Sequence, residues 1–298
     1  MKIRANGLSM EVQEHGQADH PVVLLIMGLG MQLIAWPPAV IEPLVQKGFR
    51  VITFDNRDIG LSQHFDHCGK PNILWASIKR KLGLSIQSPY SLADMARDAL
   101  GVLDAMNIRK AHIVGASMGG MIAQHVATLE PERVLSLTSI MSSSGAPRLP
   151  DARAPVLRAL ISRPASNSVD DITAHYVKLF AVIGSPAFPV EPQLLRERIR
   201  FGIERSHHPD GTLRQMMAIA ADTKRFEAIA RITVPTLVIH GLSDVLVPPA
   251  HGRDTAKRIS GSRFVGIEGM GHDLAPGAVA QWMPDFLKHL KTNQHEHT

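Results

Sequence analysis

Five consecutive apolar residues, Val22-Val23-Leu24-Leu25-Ile26, constrain this chain more than any other feature. The run is too short to cross a membrane. It has no polar alternation, so it does not suit a strand with one face in water, and it reads as a strand covered on both faces. Similar short runs lie at residues 50–54, 111–114, 134–140, 236–239 and 264–267. Helical patterns separate them, at residues 34–47 (interrupted early by Pro37-Pro38), 91–106, 118–129 and 276–291. Ser91, with Asp94 three residues on, suits an N-cap. Strands alternating with helices predict a mostly parallel sheet with helices on both faces. An opening hairpin, residues 3–5 and 8–14 about an Asn6-Gly7 turn, brings the expected sheet to eight strands.

Two stretches break the alternation. Residues 63–89 form a long excursion after a strand, in which Leu74 and Trp75 would suit narrowing an entrance. Residues 142–231 carry four helical patterns, at 152–162, 170–182, 192–204 and 212–221, with no clear strand. They read as an inserted helical cap (lid) over a core domain made of residues 1–141 and 232–298. The cap would cover the carboxyl edge of the sheet, where ligands sit in open α/β folds.

Composition removes several function classes. The net charge is small, 32 − 27 = +5, and its densest run, Lys79-Arg80-Lys81, has no aromatic ladder beside it. Only 5% of residues are aromatic, so no nucleic-acid partner is expected. No apolar run reaches the roughly 18 residues of a membrane span, and no secretory h-region opens the chain. The expectation is a cytoplasmic protein with no membrane partner, monomeric or homodimeric. A single cysteine, Cys68, excludes an internal disulfide and a cysteine-built zinc site. No P-loop is present, and Gly28-Leu29-Gly30 lacks the third glycine of a dinucleotide fingerprint because Leu33 takes its place. Neither a cofactor nor a metal is expected.

The chemistry concentrates at strand ends. Gly115-Ala116-Ser117-Met118-Gly119 fits G-x-S-x-G, with a buried strand before it and a helix after it. Such a turn exposes the serine Oγ while small residues let strand and helix pass closely. The competing reading is an ordinary turn with a serine N-cap. A serine hydroxyl needs a base, and the base needs an orienting acid. Of 15 histidines, His272 is favoured, because it follows the 264–267 strand between glycines in Gly269-Met270-Gly271-His272. His240 is its rival, at another strand end. His64 and His67 read as surface loop, and His207-His208 as a solvated helix end. Asp244, in Gly241-Leu242-Ser243-Asp244, is the candidate acid, since Met141-Ser142-Ser143-Ser144 at the alternative strand end has no carboxylate. The order serine, aspartate, histidine differs from that of the chymotrypsin and subtilisin triads. The oxyanion donors would be the backbone N–H groups of Met118 and Leu29, with Gly28 as the alternative to Leu29. An apolar pocket is expected from Trp36, Leu246, Leu274, Phe180, Met216 and Met217.

Together these pieces resemble the α/β-hydrolase superfamily of serine esterases. Asp55-Asn56-Arg57-Asp58-Ile59-Gly60-Leu61-Ser62 is similar to that family's D-x-R-G-x-G-x-S loop, with Asp58 in place of the usual glycine. Residues 90–98 resemble the helix that follows it. Met27, where many relatives have histidine, and Asp58 look most like the aclacinomycin methylesterase-like branch. The resemblance implies a serine carboxylesterase for small to medium hydrophobic esters, with Asp55 to Ser62 structural and Arg57 tying loop to loop. Ser117 argues against dehalogenases and soluble epoxide hydrolases, whose nucleophile is aspartate. Carbon–carbon bond hydrolases, enol-lactonases and perhydrolases use the same three residue types and stay open as alternatives. So does a non-catalytic receptor of the fold.

Overall fold

The computed structural model describes residues 1–72 and 84–293, so Leu74, Trp75 and the Lys79-Arg80-Lys81 run lie outside it. Eight strands form one sheet in the order β1-β2-β4-β3-β5-β6-β7-β8. The strands β1 (Lys2–Ala5) and β2 (Leu8–His15) make an antiparallel hairpin, with Ala5 opposite Leu8. Asn6 and Gly7 both have positive φ, 47° and 77°, the pattern of a type I′ turn. Strands β3 (Val22–Ile26), β4 (Arg50–Phe54), β5 (Ala111–Ala116), β6 (Val134–Ile140), β7 (Thr236–Gly241) and β8 (Arg263–Ile267) are parallel to one another.

The β3 run behaves as its composition requires. Val22, Leu24 and Ile26 enter one hydrophobic core, and Val23 and Leu25 enter the other. Helices α1 (Pro38–Gln46), α2 (Leu92–Ala105) and α3 (Met118–Leu129) follow β3, β4 and β5 in the chain. Residues of α2 and α3 fill the first core, while α1 and the terminal helix fill the second with Val40, Leu44, Trp282 and Phe286. The start of α2 is a capping box. Ser91 Oγ accepts from the Asp94 N–H at 3.1 Å, and the Asp94 carboxylate accepts from the Ser91 N–H at 2.9 Å.

Between β6 and β7 come α4 (Ala154–Ile161), α5 (Val169–Ile183), α6 (Pro192–Arg205), α7 (Pro209–Ala221) and the short α8 (Arg225–Ala228). After β7 a helix that the sequence pattern does not announce, α9 (Ala250–Arg258), returns the chain to β8, and α10 (Pro276–Thr292) closes it. Only Gly252 and Thr255 of α9 are buried, so it has no apolar period to read. Cys68 is exposed. Among the described residues no helix is long and apolar enough to cross a membrane.

Because β3, β5, β6, β7 and β8 run in register, their carboxyl ends line one edge of the sheet. Ile26 pairs with Gly115, Ala116 with Ile140, and Gly241 with Ile267. The segments holding Gly28, Ser117, Asp244 and His272 all leave the sheet along this edge.

Candidate active site

Ser117 occupies the link between β5 and α3 with φ 55° and ψ −120°. A helix N-cap residue is extended and accepts a hydrogen bond with its side chain, whereas Ser117 does neither. Holding a non-glycine residue in this region costs about 1–3 kcal/mol, and the surroundings must enforce it. They do so by contact. A Cβ on Gly119 would sit 1.9 Å from the Ile26 carbonyl oxygen, so only glycine lets α3 start against the end of β3. Ser117 N–H donates to Ile140 O at 2.9 Å, and Ser142 Oγ donates to Ser117 O at 2.7 Å.

His272 reaches the serine. Its Nε2 lies 3.0 Å from Ser117 Oγ, and its Nδ1 lies 2.7 Å from Asp244 Oδ2. The carboxylate can only accept, so Nδ1 carries the proton and Nε2 is left as acceptor for the serine hydroxyl. Asp244 is 4% exposed, and its Oδ1 accepts the Leu246 and Val247 N–H groups at 2.9 and 2.8 Å. These bonds aim Oδ2 at the imidazole. The rival His240 lies beneath the acid. Its Nε2 donates to Val247 O at 2.8 Å and stands 3.7 Å from Asp244 Oδ2, out of reach of the serine's partner role. Burial holds its pKa below the ordinary histidine value.

The loop after β3 lies against the nucleophile, since a Cβ on Gly28 would be 3.1 Å from Ser117 Cβ. Gly30 N–H donates at 3.0 Å to Gln215 Oε1 of α7, whose Nε2 donates at 2.9 Å to Arg57 O. Gln215 is fully buried. Among the described residues, the N–H groups of Leu29 and Met118 make no backbone hydrogen bond outside a helix or strand.

A cavity of about 740 Å³ lies between the sheet edge and the inserted helices. Its wall includes Gly30 of the β3 loop, Ser243 and Val245 of the acid loop, and Asp273 and Leu274 next to His272. Ser117 and His272 are not themselves part of that wall; residues next to His272 and Asp244 in the chain are. Of the pocket residues expected from the sequence, Phe180 and Leu274 line the cavity. The others do not. Trp36 is 2% exposed and packs in the second core with Val40 and Ile239. Leu246 stands beside wall residue Val245 without joining the wall, and Met217 lines a small pocket beside Cys68 and Pro71. Met216 is half-buried and also outside the wall. Residues missed from sequence include Tyr176, Leu195, Ile199 and Ile203. The last three fall at helical spacing on α6, which has no fully buried residue, and a helix with an apolar stripe and no core partner was the available signal.

The Asp58 substitution also gains a reason. Its φ is 71°, and its buried carboxylate receives Arg214 of α7 through two bonds, Nε at 2.7 Å and Nη2 at 2.8 Å. Tyr90 Oη and Phe65 N–H donate to it as well, each at 2.8 Å. Burial pushes this carboxyl up, but the bonds from Arg214, Phe65 and Tyr90 outweigh burial and leave it below the ordinary range. Arg57 makes the matching tie inside the core, gripping Asp98 at 2.5 and 2.6 Å.

Among the described residues, the single group with metal-ligand spacing is His64, Asp66 and His208. The two rings are stacked, with centroids 3.8 Å apart and planes at 9°, so their in-plane lone pairs run parallel and do not converge. Both nitrogens of His208 already face acceptors, Asp58 O and Asp66 Oδ1, each at 2.8 Å. The group acts as a polar strut under α7, and His208 is not the solvated helix end expected from sequence.

Residues 21–276 match the family model described as the alpha/beta hydrolase fold. A rhodomycin D methylesterase from Streptomyces sp. (strain C5) is 31% identical over 277 residues, covering 86% of each chain. A rhodomycin D methylesterase from Streptomyces peucetius is 30% identical with the same coverage. Among solved structures, the enol-lactonase from Burkholderia xenovorans LB400 superposes with a TM-score of 0.73 at 20% identity, covering 98% of this chain and 100% of that one.

Proposed function

The chain belongs to the α/β-hydrolase fold family, and from that premise we propose a serine carboxylesterase that works through an acyl-enzyme on Ser117. Methylesterase relatives support ester hydrolysis. The observation that carries the mechanism is the continuous bond chain Asp244–His272–Ser117, ending on a serine that the fold holds out of helical geometry. In this reading residues 1–141 and 232–298 are the core domain and residues 142–231 are the cap.

His272 Nε2 takes the Ser117 proton as Oγ attacks the ester carbonyl. Asp244 keeps the imidazole in the required tautomer and stabilises the imidazolium. The Leu29 and Met118 amides receive the oxyanion, each worth about 3–4 kcal/mol of barrier. His272 then gives the proton to the leaving alcohol, and water, activated by the same ring, releases the acid. The substrate we propose is a methyl ester of a bulky hydrophobic acid. The relatives' names support the small alcohol, and a cavity of about 740 Å³ supports the bulky acid, since drug-sized ligands occupy roughly 300–1,000 Å³. The proposal also takes the cytoplasm as the compartment and a monomer or homodimer as the working state.

The test is hydrolysis of p-nitrophenyl esters from acetate to laurate and of methyl esters of bulky aromatic acids, wild type beside Ser117→Ala. Turnover lost in the variant, with bulky acids preferred, is the expected result. Diketone or enol-lactone cleavage with no ester turnover would overturn the esterase reading in favour of the sister chemistries.

A further inference from the structure

The loop that carries His272 is held from two sides. From the core, Ser243 N–H donates to Met270 O at 3.0 Å. From the cap, the last residue of α5 and the segment after it make five bonds to it. His272 N–H donates to Ile183 O at 2.7 Å, satisfying a carbonyl that the end of α5 would otherwise leave open. Gly271 N–H donates to Ser185 Oγ at 2.9 Å, and Ser185 Oγ donates in turn to Asp273 Oδ1 at 2.5 Å. Ser185 N–H donates to Asp273 Oδ2 at 3.1 Å, and Ala187 N–H donates to Gly269 O at 3.1 Å. The approach is close enough that a Cβ on Gly271 would lie 2.2 Å from Gly184 O.

This arrangement has a chemical consequence. The His272 loop contains Gly269, at φ 70°, and Gly271, so its own backbone is a weak restraint. Two consecutive N–H groups, of residues 271 and 272, are both held by the cap segment. Ser185 is central, since its hydroxyl accepts from one side of the histidine and donates to the other. It is 5% exposed, and it borders the cavity together with Phe180 of α5.

We propose that Ser185, acting through Gly271 and Asp273, is a positioning residue that keeps the His272 imidazole in line between Asp244 and Ser117. The cap is then part of the catalytic geometry as well as the roof of the pocket. A substrate seated against Phe180 presses on the helix whose end fixes the base. The proposal rests on the serine-esterase reading for its kinetic consequence but not for its structural one.

Two readouts test it on the full chain. The first is steady-state hydrolysis of p-nitrophenyl butyrate by wild type, Ser185→Ala and Ser185→Thr. Ser185→Ala should lower kcat about ten- to hundredfold with KM changed less than about twofold, because a displaced base is lost in the chemical step. Its Tm should fall by less than about 5 °C. Ser185→Thr, which keeps the hydroxyl, should recover most of kcat. The second is the low-field proton resonance of the His272 Nδ1–H···Asp244 bond, assigned by its loss in His272→Gln. It should be sharp in wild type, exchange-broadened in Ser185→Ala and restored in Ser185→Thr. An unchanged resonance in Ser185→Ala overturns the proposal, as does an unchanged kcat in an active enzyme. A wild type without ester turnover overturns the esterase reading instead, and the resonance alone then decides the role of Ser185.

Discussion

The floor and the roof of this cavity are held together by different physics. The floor is the sheet edge around Ser117, where every residue of β5 is buried and α3 rests directly on the end of β3. The roof includes α6, which has no fully buried residue, and α7, pinned by buried polar pairs. Arg205 reaches Asp55 at 2.8 Å, Arg214 grips Asp58, and Gln215 bridges Gly30 and Arg57. Apolar packing fixes a surface best when nothing else needs that surface. The roof must leave apolar side chains such as Ile199 and Phe180 facing a cavity, so ion pairs and hydrogen bonds secure it. The catalytic residues of the floor should therefore answer to mutation mostly in rate, and α6 and α7 of the roof mostly in stability and substrate preference.

The largest effects belong to the floor. Ser117→Ala should reduce ester turnover about 10⁶-fold. Asp244→Asn should reduce kcat about 10⁴-fold by stabilising the wrong imidazole tautomer. Both variants should melt within a few degrees of wild type in calorimetry. A Ser117→Ala enzyme with more than a hundredth of wild-type kcat would remove the floor from the chemistry altogether.

How far the sequence carries depends on the same contrast. Ser117, Asp244 and His272 are legible because each follows an apolar strand whose end carries a glycine, a local signal on a sheet edge set by alternation. The struts are not legible, because Arg214 and Asp58 are 156 residues apart, and the loop pattern that singles out Asp58 does not point to its partner. Trp36 shows the opposite error. It lies near the site in sequence, but the 3₁₀ turn at Leu33–Ala35 leads its indole into the core beneath the sheet. The α7 methionines fail for a related reason. Helix phase turns Arg214 and Gln215 to the core loops, which takes Met216 and Met217 away from the cavity.

The roof's test is Arg214→Met. Both partners are almost wholly buried, so removing the guanidinium strands the Asp58 carboxylate, a loss of about 3–5 kcal/mol. Denaturant titration should register that loss. The double variant Asp58→Gly/Arg214→Met should recover at least half of it, since no charge is left unpaired and glycine accepts the φ of 71° without strain. A single variant within about 1 kcal/mol of wild type would mean that packing, not the strut, holds the roof.

Acid should probe the floor through His112, fully buried in β5 five residues before Ser117. Its Nδ1 lies 2.8 Å from Ser136 Oγ, its Nε2 has no partner, and burial together with nearby His289 lowers its pKa to about 3. The unfolded chain takes up this proton near pH 6.5 and the folded one near 3. Its stabilising contribution is therefore complete above pH 6.5 and is lost progressively as pH falls toward 3. By pH 5 the loss should be about 2 kcal/mol. Melting temperatures of wild type and His112→Asn, compared between pH 7 and 5, should show a shallower decline in the variant. Parallel declines would assign the acid sensitivity to other groups.

The smallest effect separates roof packing from roof function. Phe201 on α6 is 59% exposed and lines the cavity, so it supports little of the fold. Phe201→Ser should leave Tm within about 2 °C of wild type, as expected for a surface change. A long or bulky acyl group that covers part of the ring would lose about 1 kcal/mol of apolar contact, which is about a fivefold rise in KM. An acetyl ester has almost no acyl surface to lay against the ring and should keep its KM. The ratio of the two KM values thus reports the roof independently of the chemistry. Equal KM changes for the acetyl and long-chain esters would mean that Phe201 shapes the site as a whole instead of touching the acyl group. A fall in Tm of 10 °C or more would mean that the exposed face of α6 carries fold stability, and the division of labour between floor and roof would fail there.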